Sequence, residues 1–248
     1  MSISILTATF NAAEHLPRLI ESLRAQTDRD FEWIVMDGAS EDGTVEILRA
    51  ASDVVSVVRS EADFGIYHAL NKAIALATSK YYLVLGSDDF IYENAISDYR
   101  NAIKVSGADI ISGAVVINQK KIPPPFKAVW WRSTPLLVSA HSVGSLIRKD
   151  LHGELGFYSR RFPIAADTYF FLHAWRKGKK IYRFDEVVGV FGSDGVSGTD
   201  VLGGLCESFR ANVEVRGYLF ANSLLLLLRI IKNASRIGVE LMRRRGRY

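Results

Sequence analysis

Three apolar, β-branched runs in the N-terminal third each break off into polar or acidic residues, and this pattern constrains the fold more than any other feature. Ile3–Thr9 runs into Phe10-Asn11, Phe31–Met36 into Asp37-Gly38-Ala39-Ser40, and Tyr81–Leu85 into Gly86-Ser87-Asp88-Asp89. Short runs without polar alternation are expected of strands buried on both faces, as in parallel sheets. Helical periodicity lies between them. Leu16, Leu19, Ile20 and Leu23 share one face, and so do Ile66, Leu70, Ala73, Ile74 and Ala77. Asn11 and Glu14 have the spacing of a capping box for the first helix. Thr44–Ala51 reads as a short helix, Val54–Val58 as a third strand and Asp109–Ile117 as a fifth. Strands alternating with helices predict an α/β fold, a mostly parallel sheet flanked by helices on both faces.

Farther on, Pro123-Pro124-Pro125 breaks the pattern. The stretch from Lys127 to Ser139 has no period and reads as a loop over a cleft, and the wider segment from Asn118 would shape its pocket. Ser145–Lys149, Asp167–Arg176 and Lys180–Val190 read as strand, helix and strand, and the chain from about Leu202 onward as helical. A formal net charge of +4 over 248 residues argues against a nucleic-acid partner. The single Cys206 excludes an internal disulfide or a cysteine-rich zinc site, and the five histidines form no HExxH-type pair. The first residues read as a strand and not as a signal peptide, so a cytoplasmic location is expected.

Ligands of open parallel sheets bind beyond the carboxyl ends of the strands, which makes the strand-end residues the first candidates. Adjacent Asp88 and Asp89 repel each other unless a cation shares their surroundings, and Mg²⁺ or Mn²⁺ commonly takes one or two carboxylates together with substrate phosphates. A solvated turn is the alternative. Asp37 could accept a base or ribose hydrogen bond or anchor its own turn, and Phe10 could stack on a base or join the core. Asp167, opening an apolar helix after a loop, could act as a general base or simply favour the helix dipole.

Taken in order, Thr7-Ala8-Thr9-Phe10-Asn11, Val35-Met36-Asp37-Gly38-Ala39-Ser40-Glu41-Asp42-Gly43-Thr44 and Leu85-Gly86-Ser87-Asp88-Asp89 resemble family 2 glycosyltransferases with the Rossmann-like GT-A fold. Asp63 to Lys72, Ile164 to Tyr169 and Gly195-Val196-Ser197 resemble bacterial exopolysaccharide and O-antigen members. The resemblance implies a GT-A domain over residues 1–200, and residues 201–248 read as a basic helical extension. It implies donor binding by Thr9, Phe10, Asp37, Asp63 and Asp88, Mn²⁺ or Mg²⁺ on Asp89, and Asp167 as catalytic base, with His141 on the acceptor side. Four departures stand out. Ser87 occupies the place of the first Asp of a DxD, Ala8 that of a proline, His68 that of an acidic residue, and Ser142 follows His141 where Gln is common.

The expected reaction is transfer of a sugar from a nucleotide-diphosphate donor (UDP or GDP) to the hydroxyl of a glycan or lipid-linked acceptor, with inversion, in bacterial polysaccharide synthesis. Residues 217–228 are uncharged, but too few to span a bilayer, which takes about 20. Arg229, Lys232, Arg236 and Arg243 fall on one helical face, with Leu227, Leu228, Ile231, Val239 and Met242 largely on another. This reads as peripheral attachment to an anionic inner membrane face, or as a helix packed on the domain. A sugar-phosphate nucleotidyltransferase is the alternative enzyme, but the stretch from Thr7 to Glu14 lacks the glycines and basic residues of a triphosphate loop. A non-catalytic scaffold of the same fold is the other alternative.

Overall fold

The computed structural model describes residues 2–125, 137–192 and 200–245. Gly195-Val196-Ser197, residues 127–136 and Arg247 lie outside the described residues, as do the side chains of Arg243, Arg244 and Arg245.

Four parallel strands form the N-terminal half of the sheet: β1 (Ile3–Thr9), β2 (Phe31–Asp37), β3 (Val57–Ser60) and β4 (Tyr81–Val84). Between them run α1 (Leu16–Arg24), α2 (Thr44–Ala50) and α3 (Ile66–Leu76). Next come β5 (Phe90–Ile91), α4 (Ala95–Ser106), β6 (Ile110–Ile117), β7 (Lys120–Ile122), β8 (Ser145–Arg148), α5 (Leu151–Leu155), α6 (Ala166–Arg176) and β9 (Ile181–Val190). The chain closes with α7 (Val201–Arg216), α8 (Leu219–Lys232) and α9 (Ala234–Arg245). Among the described residues nine strands make one sheet, in the order β3-β2-β1-β4-β8-β6-β9-β5, with β7 on β6. Its parallel character runs from β3 to β4. Beyond that β8 enters antiparallel to both β4 and β6, and the sheet becomes mixed.

Alternation along the strands divides the core. Ile3, Ile5, Trp33 and Val35 face α1, α2 and α4, whereas Leu6, Ile34 and Met36 face α3, α5, α6 and α7. Both faces are thus covered, as parallel strands require. The register sets Thr9 opposite Asp37 and Asp37 opposite Ser60, so the three strands end level with one another.

Local structure departs from the expectations at four places. The helix α1 is not started by a capping box: its N-cap is His15, without a side-chain cap. The amides upstream are taken by the neighbouring loop instead, Asn11 N–H by Ser40 Oγ (2.8 Å), Ala12 N–H by Thr44 Oγ1 (2.8 Å) and Ala13 N–H by Asp42 Oδ2 (3.0 Å). The third strand starts late, because the Ala51 carbonyl holds the Val54 and Val55 amides in a turn at 3.0 and 2.9 Å. Ile66, expected on the buried face of α3, is exposed. The helix α4, absent from the sequence reading, buries Ala95, Ile96, Tyr99, Ala102 and Ile103.

Trp33 is fully buried in the middle of β2 and donates its indole N–H to Thr7 Oγ1 at 2.9 Å. Trp33→Ala is expected to cost roughly 3–5 kcal/mol, from the cavity left behind and the orphaned hydroxyl, measured by urea unfolding.

Candidate active site

At the carboxyl ends of β1 and β4 the chain encloses a cavity of about 540 Å³, within the range of small-ligand sites. Its lining includes Thr9, Phe10, Gly38, Asp63, Ser87 and Asp88. Phe10 is 67 % exposed and stands in the opening as an accessible aromatic face. A side chain at position 38 would crowd Asp63 Oδ2 (3.2 Å) and Phe10 Cδ2 (3.3 Å), so a glycine keeps this wall open. Asp63 is itself fixed by the Gly65 N–H at 2.7 Å.

Asp37 and Asp89 do not present their carboxylates to the cavity. Asp37 is 1 % exposed and accepts from Thr9 Oγ1 (3.0 Å), Ser40 Oγ (2.5 Å), the Ser40 amide (2.9 Å) and Ser60 Oγ (2.7 Å). Burial alone would raise its pKa, and these donors outweigh burial and hold it below the usual carboxylate value. The carboxylate ties together the ends of β1, β2 and β3, and through Ser40 it holds two neighbouring loops, in which Asn11 after β1 and Ala39 after β2 adopt left-handed φ angles of 48° and 64°.

Asp89 is 2 % exposed and accepts from the Gly86 amide (2.6 Å), the Gly192 amide (2.7 Å) and the Ser142 hydroxyl. Burial pushes it up to about 6 against those three donors. Asp88 is the member of the pair that lines the cavity. It lies so close to the Cα of Gly192 that a Cβ there would overlap its carboxylate. The expected assignment of Asp89 to a cation and Asp88 to the donor thus meets a geometry in which Asp89 is buried on its three donors and Asp88 faces the cleft. Among the described residues no three His, Cys, Asp or Glu side chains gather as a metal cage.

Asp167 sits in the first turn of α6 and is not among the cavity's lining residues. Its Oδ1 accepts from Tyr67 Oη (2.9 Å) and from the Thr168 amide (2.7 Å). Its Oδ2 faces His141 Nδ1 at 3.8 Å. Two segments bridge it to the cleft. Tyr67 follows the cavity residue Ile66, and His141 precedes the Ser142 that holds Asp89. Burial and the Asp167 charge keep the Tyr67 phenol protonated well above its ordinary range.

Glu207, on α7, was not legible as a site residue. Its Oε2 accepts from the Ile164 and Ala165 amides at 2.8 and 2.9 Å, fixing the loop that delivers Asp167. Arg161 and Glu214 add a bidentate ion pair at 2.9 Å between the same loop and helix. Ser142 and Gly192 were missed as well, since nothing local in the sequence marks them as partners of Asp89.

Comparison with known proteins decides the family. Residues 4–162 match glycosyl transferase family 2 over most of the chain. The chain belongs to that family. This glycosyltransferase is 28 % identical over 196 residues to a PGL/p-HBAD biosynthesis glycosyltransferase of Mycobacterium bovis, covering 75 % of this chain and 74 % of the relative. It is 30 % identical over 195 residues to an uncharacterized glycosyltransferase of Mycobacterium tuberculosis, covering 70 % and 68 %. In fold it is similar to Staphylococcus aureus TarS (residues 1–349) in complex with UDP-GlcNAc, with a TM-score of 0.68, 18 % identity and coverage of 94 % and 73 %. It is also similar to the mannosyltransferase PcManGT of Pyrobaculum calidifontis in complex with GDP-Man and Mn²⁺, with a TM-score of 0.65, 16 % identity and coverage of 94 % and 75 %. The glycosyltransferase therefore has the GT-A fold.

Glu207→Ala in this glycosyltransferase leaves two amides without their acceptor, a loss of about 1–3 kcal/mol. The expected result is a lower Tm and faster hydrogen exchange at Ile164 and Ala165, with the amides of β1 unchanged.

Proposed function

We propose that this chain transfers a sugar from a nucleotide-diphosphate donor to an acceptor hydroxyl with inversion at the anomeric carbon. The observation that carries the reading is the cleft itself, in which the Phe10 ring, Asp63 and the Asp88 carboxylate line one cavity at the strand ends. Phe10 stacks on the base, and Asp63 and the Gly38 wall contact the nucleoside. Thr9 and Asp37 act on the donor indirectly, by holding that wall through their mutual hydrogen bond. The structural neighbours named above carry UDP-GlcNAc in one case and GDP-Man with Mn²⁺ in the other, which supports a donor of this class.

A hard divalent cation that arrives with a diphosphate needs only one or two protein carboxylates, because phosphate oxygens and water fill its other positions. Asp88, at the cavity and beside the unsubstituted Gly192, suits that demand, and Mn²⁺ or Mg²⁺ is the proposed cofactor. When bound, such an ion neutralises charge on the departing diphosphate, an effect comparable to the ~3–4 kcal/mol supplied by a single oxyanion donor. Asp89 serves by holding the turn that presents Asp88.

Asp167 is the proposed general base. Tyr67 and the Thr168 amide occupy Oδ1, so Oδ2 is the oxygen that takes the proton of the acceptor hydroxyl. Attack opposite the leaving group inverts the centre. His141, beside Asp167, belongs to the acceptor side.

The acceptor is proposed to be a lipid-linked glycan of a bacterial surface polysaccharide, met at the inner membrane face. In support, α8 presents Leu219, Phe220, Leu224, Leu227, Leu228 and Ile231 to solvent, each more than half exposed. Lys232 and Arg236 lie alongside, suited to anionic lipid. Among the described residues no helix is long and apolar enough to cross a membrane. The unit expected over 201–248 divides in this reading. The helix α7 braces Asp167, α8 docks on lipid, and α9 folds back so that Glu240 Oε2 accepts from the Val201 amide at 3.0 Å.

Three measurements test these proposals. Asp167→Asn is expected to lower kcat by about 10²–10⁴ with donor affinity retained, and Asp88→Asn to abolish Mn²⁺-dependent binding of UDP- and GDP-sugars in calorimetry. Turnover at the wild-type rate in Asp167→Asn contradicts the base assignment. Leu224→Ser with Leu228→Ser is expected to release the protein from anionic vesicles in co-sedimentation while leaving donor binding intact. A wild-type protein that ignores such vesicles contradicts the membrane proposal.

A further inference from the structure

Behind Asp167 runs a buried chain of polar side chains. His141 Nε2 lies 2.8 Å from the Tyr158 hydroxyl, that hydroxyl 2.8 Å from the Tyr82 hydroxyl, Tyr82 Oη 2.7 Å from His152 Nε2, and His152 Nδ1 3.1 Å from the Gly156 carbonyl. The carbonyl fixes the direction of the chain. A carbonyl only accepts, so His152 Nδ1 carries the hydrogen. Burial pushes the His152 pKa down to about 4, so the ring is neutral near pH 7 and its Nε2 holds a lone pair. Tyr82 therefore donates to His152 and Tyr158 donates to Tyr82. The lone pair left on Tyr158 accepts from His141 Nε2–H. His141, when neutral, then bears its own lone pair on Nδ1, the atom that faces Asp167 Oδ2.

The 3.8 Å between those two atoms is beyond hydrogen-bond reach, as expected of two acceptors with no proton between them. A donor N–H in that place would be drawn closer by the carboxylate. A bland account treats the chain as a means of satisfying buried hydroxyls. That account explains the contacts within the chain, but not why it ends with a bare imidazole nitrogen aimed at a carboxylate.

We propose that His141 is a positioning residue that acts through Asp167, receiving on Nδ1 the proton that Asp167 Oδ2 takes from the acceptor hydroxyl. This rests on Asp167 being the base. In the step, the acceptor O–H bond breaks and its electron pair forms the bond to the anomeric carbon. The bond from that carbon to the diphosphate breaks, and its pair leaves on the phosphate oxygen. The proton passes from Oδ2 to Nδ1, which leaves an imidazolium beside a restored carboxylate, and it is lost to solvent before the next turnover. The restored Asp167 carboxylate favours an imidazolium beside it, so the transfer makes return of the proton to the new glycosidic oxygen less favourable.

The groups facing His141 come from several elements. They are Asp167 and the apolar Phe171 on α6, Tyr67 on α3, and Tyr158 in the connection after α5, with His152 of α5 farther along the chain. Burial lowers the His141 pKa below the ordinary histidine value, and Asp167 opposes that shift. The form with the free lone pair therefore prevails at neutral pH and is lost as pH falls below the histidine range.

The test combines a spectroscopic and a kinetic measurement on the full chain. Nitrogen-15 NMR of histidine-labelled protein near pH 8 is expected to show His141 as the Nε2–H tautomer. Tyr82→Phe, which cuts the chain and frees the Tyr158 proton, is expected to shift His141 toward Nδ1–H. Nδ1–H in the wild type overturns the proposal without any substrate being needed. The kinetic arm follows release of nucleoside diphosphate from UDP-GlcNAc or GDP-mannose with Mn²⁺ and water as acceptor. His141→Gln retains an amide donor for Tyr158 but cannot receive a proton. It is expected to lower kcat by about tenfold or more, leave the donor KM within about twofold, and move the acid limb of the pH profile to lower pH. Wild-type kcat and an unmoved acid limb in His141→Gln, with Asp167→Asn inactive, overturn this proposal and leave the base assignment standing. Wild-type turnover in Asp167→Asn removes both.

Discussion

A carboxylate almost without access to water, Asp89, holds the cleft together. Its oxygens gather the Gly86 amide at the end of β4, the Ser142 hydroxyl from the segment before β8 and the Gly192 amide just past β9. Those segments are far apart in the chain, and each reaches the cleft from a different part of the sheet. Removing one partner of such a buried group leaves the others unsatisfied, so the site stands or falls as a unit. Asp37 does the same at the other wall, where it gathers Thr9, Ser40 and Ser60 across three parallel strands. Both walls are thus braced by inward carboxylates, and Asp88, Asp63 and Phe10 line the space between them.

Much of this was legible in the sequence, though unevenly. The apolar runs located β1, β2 and β4 closely, and the faces of α1 and, apart from Ile66, of α3 followed from helical spacing, because burial on both sides of a parallel sheet leaves a strong periodic mark. The strand-end rule pointed to turns that line one cavity. It could not say which carboxylate of the Asp88-Asp89 pair turns inward, because orientation depends on Ser142 and Gly192, which lie 53 and 103 residues from Asp89. The capping box on Asn11 and Glu14 failed for a similar reason: Ser40 takes the Asn11 amide, and the Asn11 side-chain oxygen accepts from the Glu41 amide instead. Glu207 and the tyrosine–histidine chain are likewise long-range constructions with no local pattern to reveal them.

The C-terminal region illustrates how site and scaffold merge. The helix α7 buries Ala211, Asn212 and Val215 against the catalytic half, and its Glu207 fixes the approach to α6. Exposure of large apolar side chains begins only at Tyr218. A single basic face running through Arg229, Lys232 and Arg236 is interrupted at Asn233, where α8 ends and α9 turns back. The apolar surface therefore belongs to α8 with the end of that turn, close to the helix that supports Asp167.

The central claim is that an inward Asp89 sets the turn from which Asp88 meets the donor's diphosphate. A crystal structure of the chain with Mg²⁺ and the sugar nucleotide it binds tests this most directly. The account predicts an Asp88 oxygen about 2.0–2.1 Å from the ion, with Asp89 still accepting from Gly86, Ser142 and Gly192. An ion held by Asp89 with its three donors released, or a diphosphate bound away from both carboxylates, contradicts it.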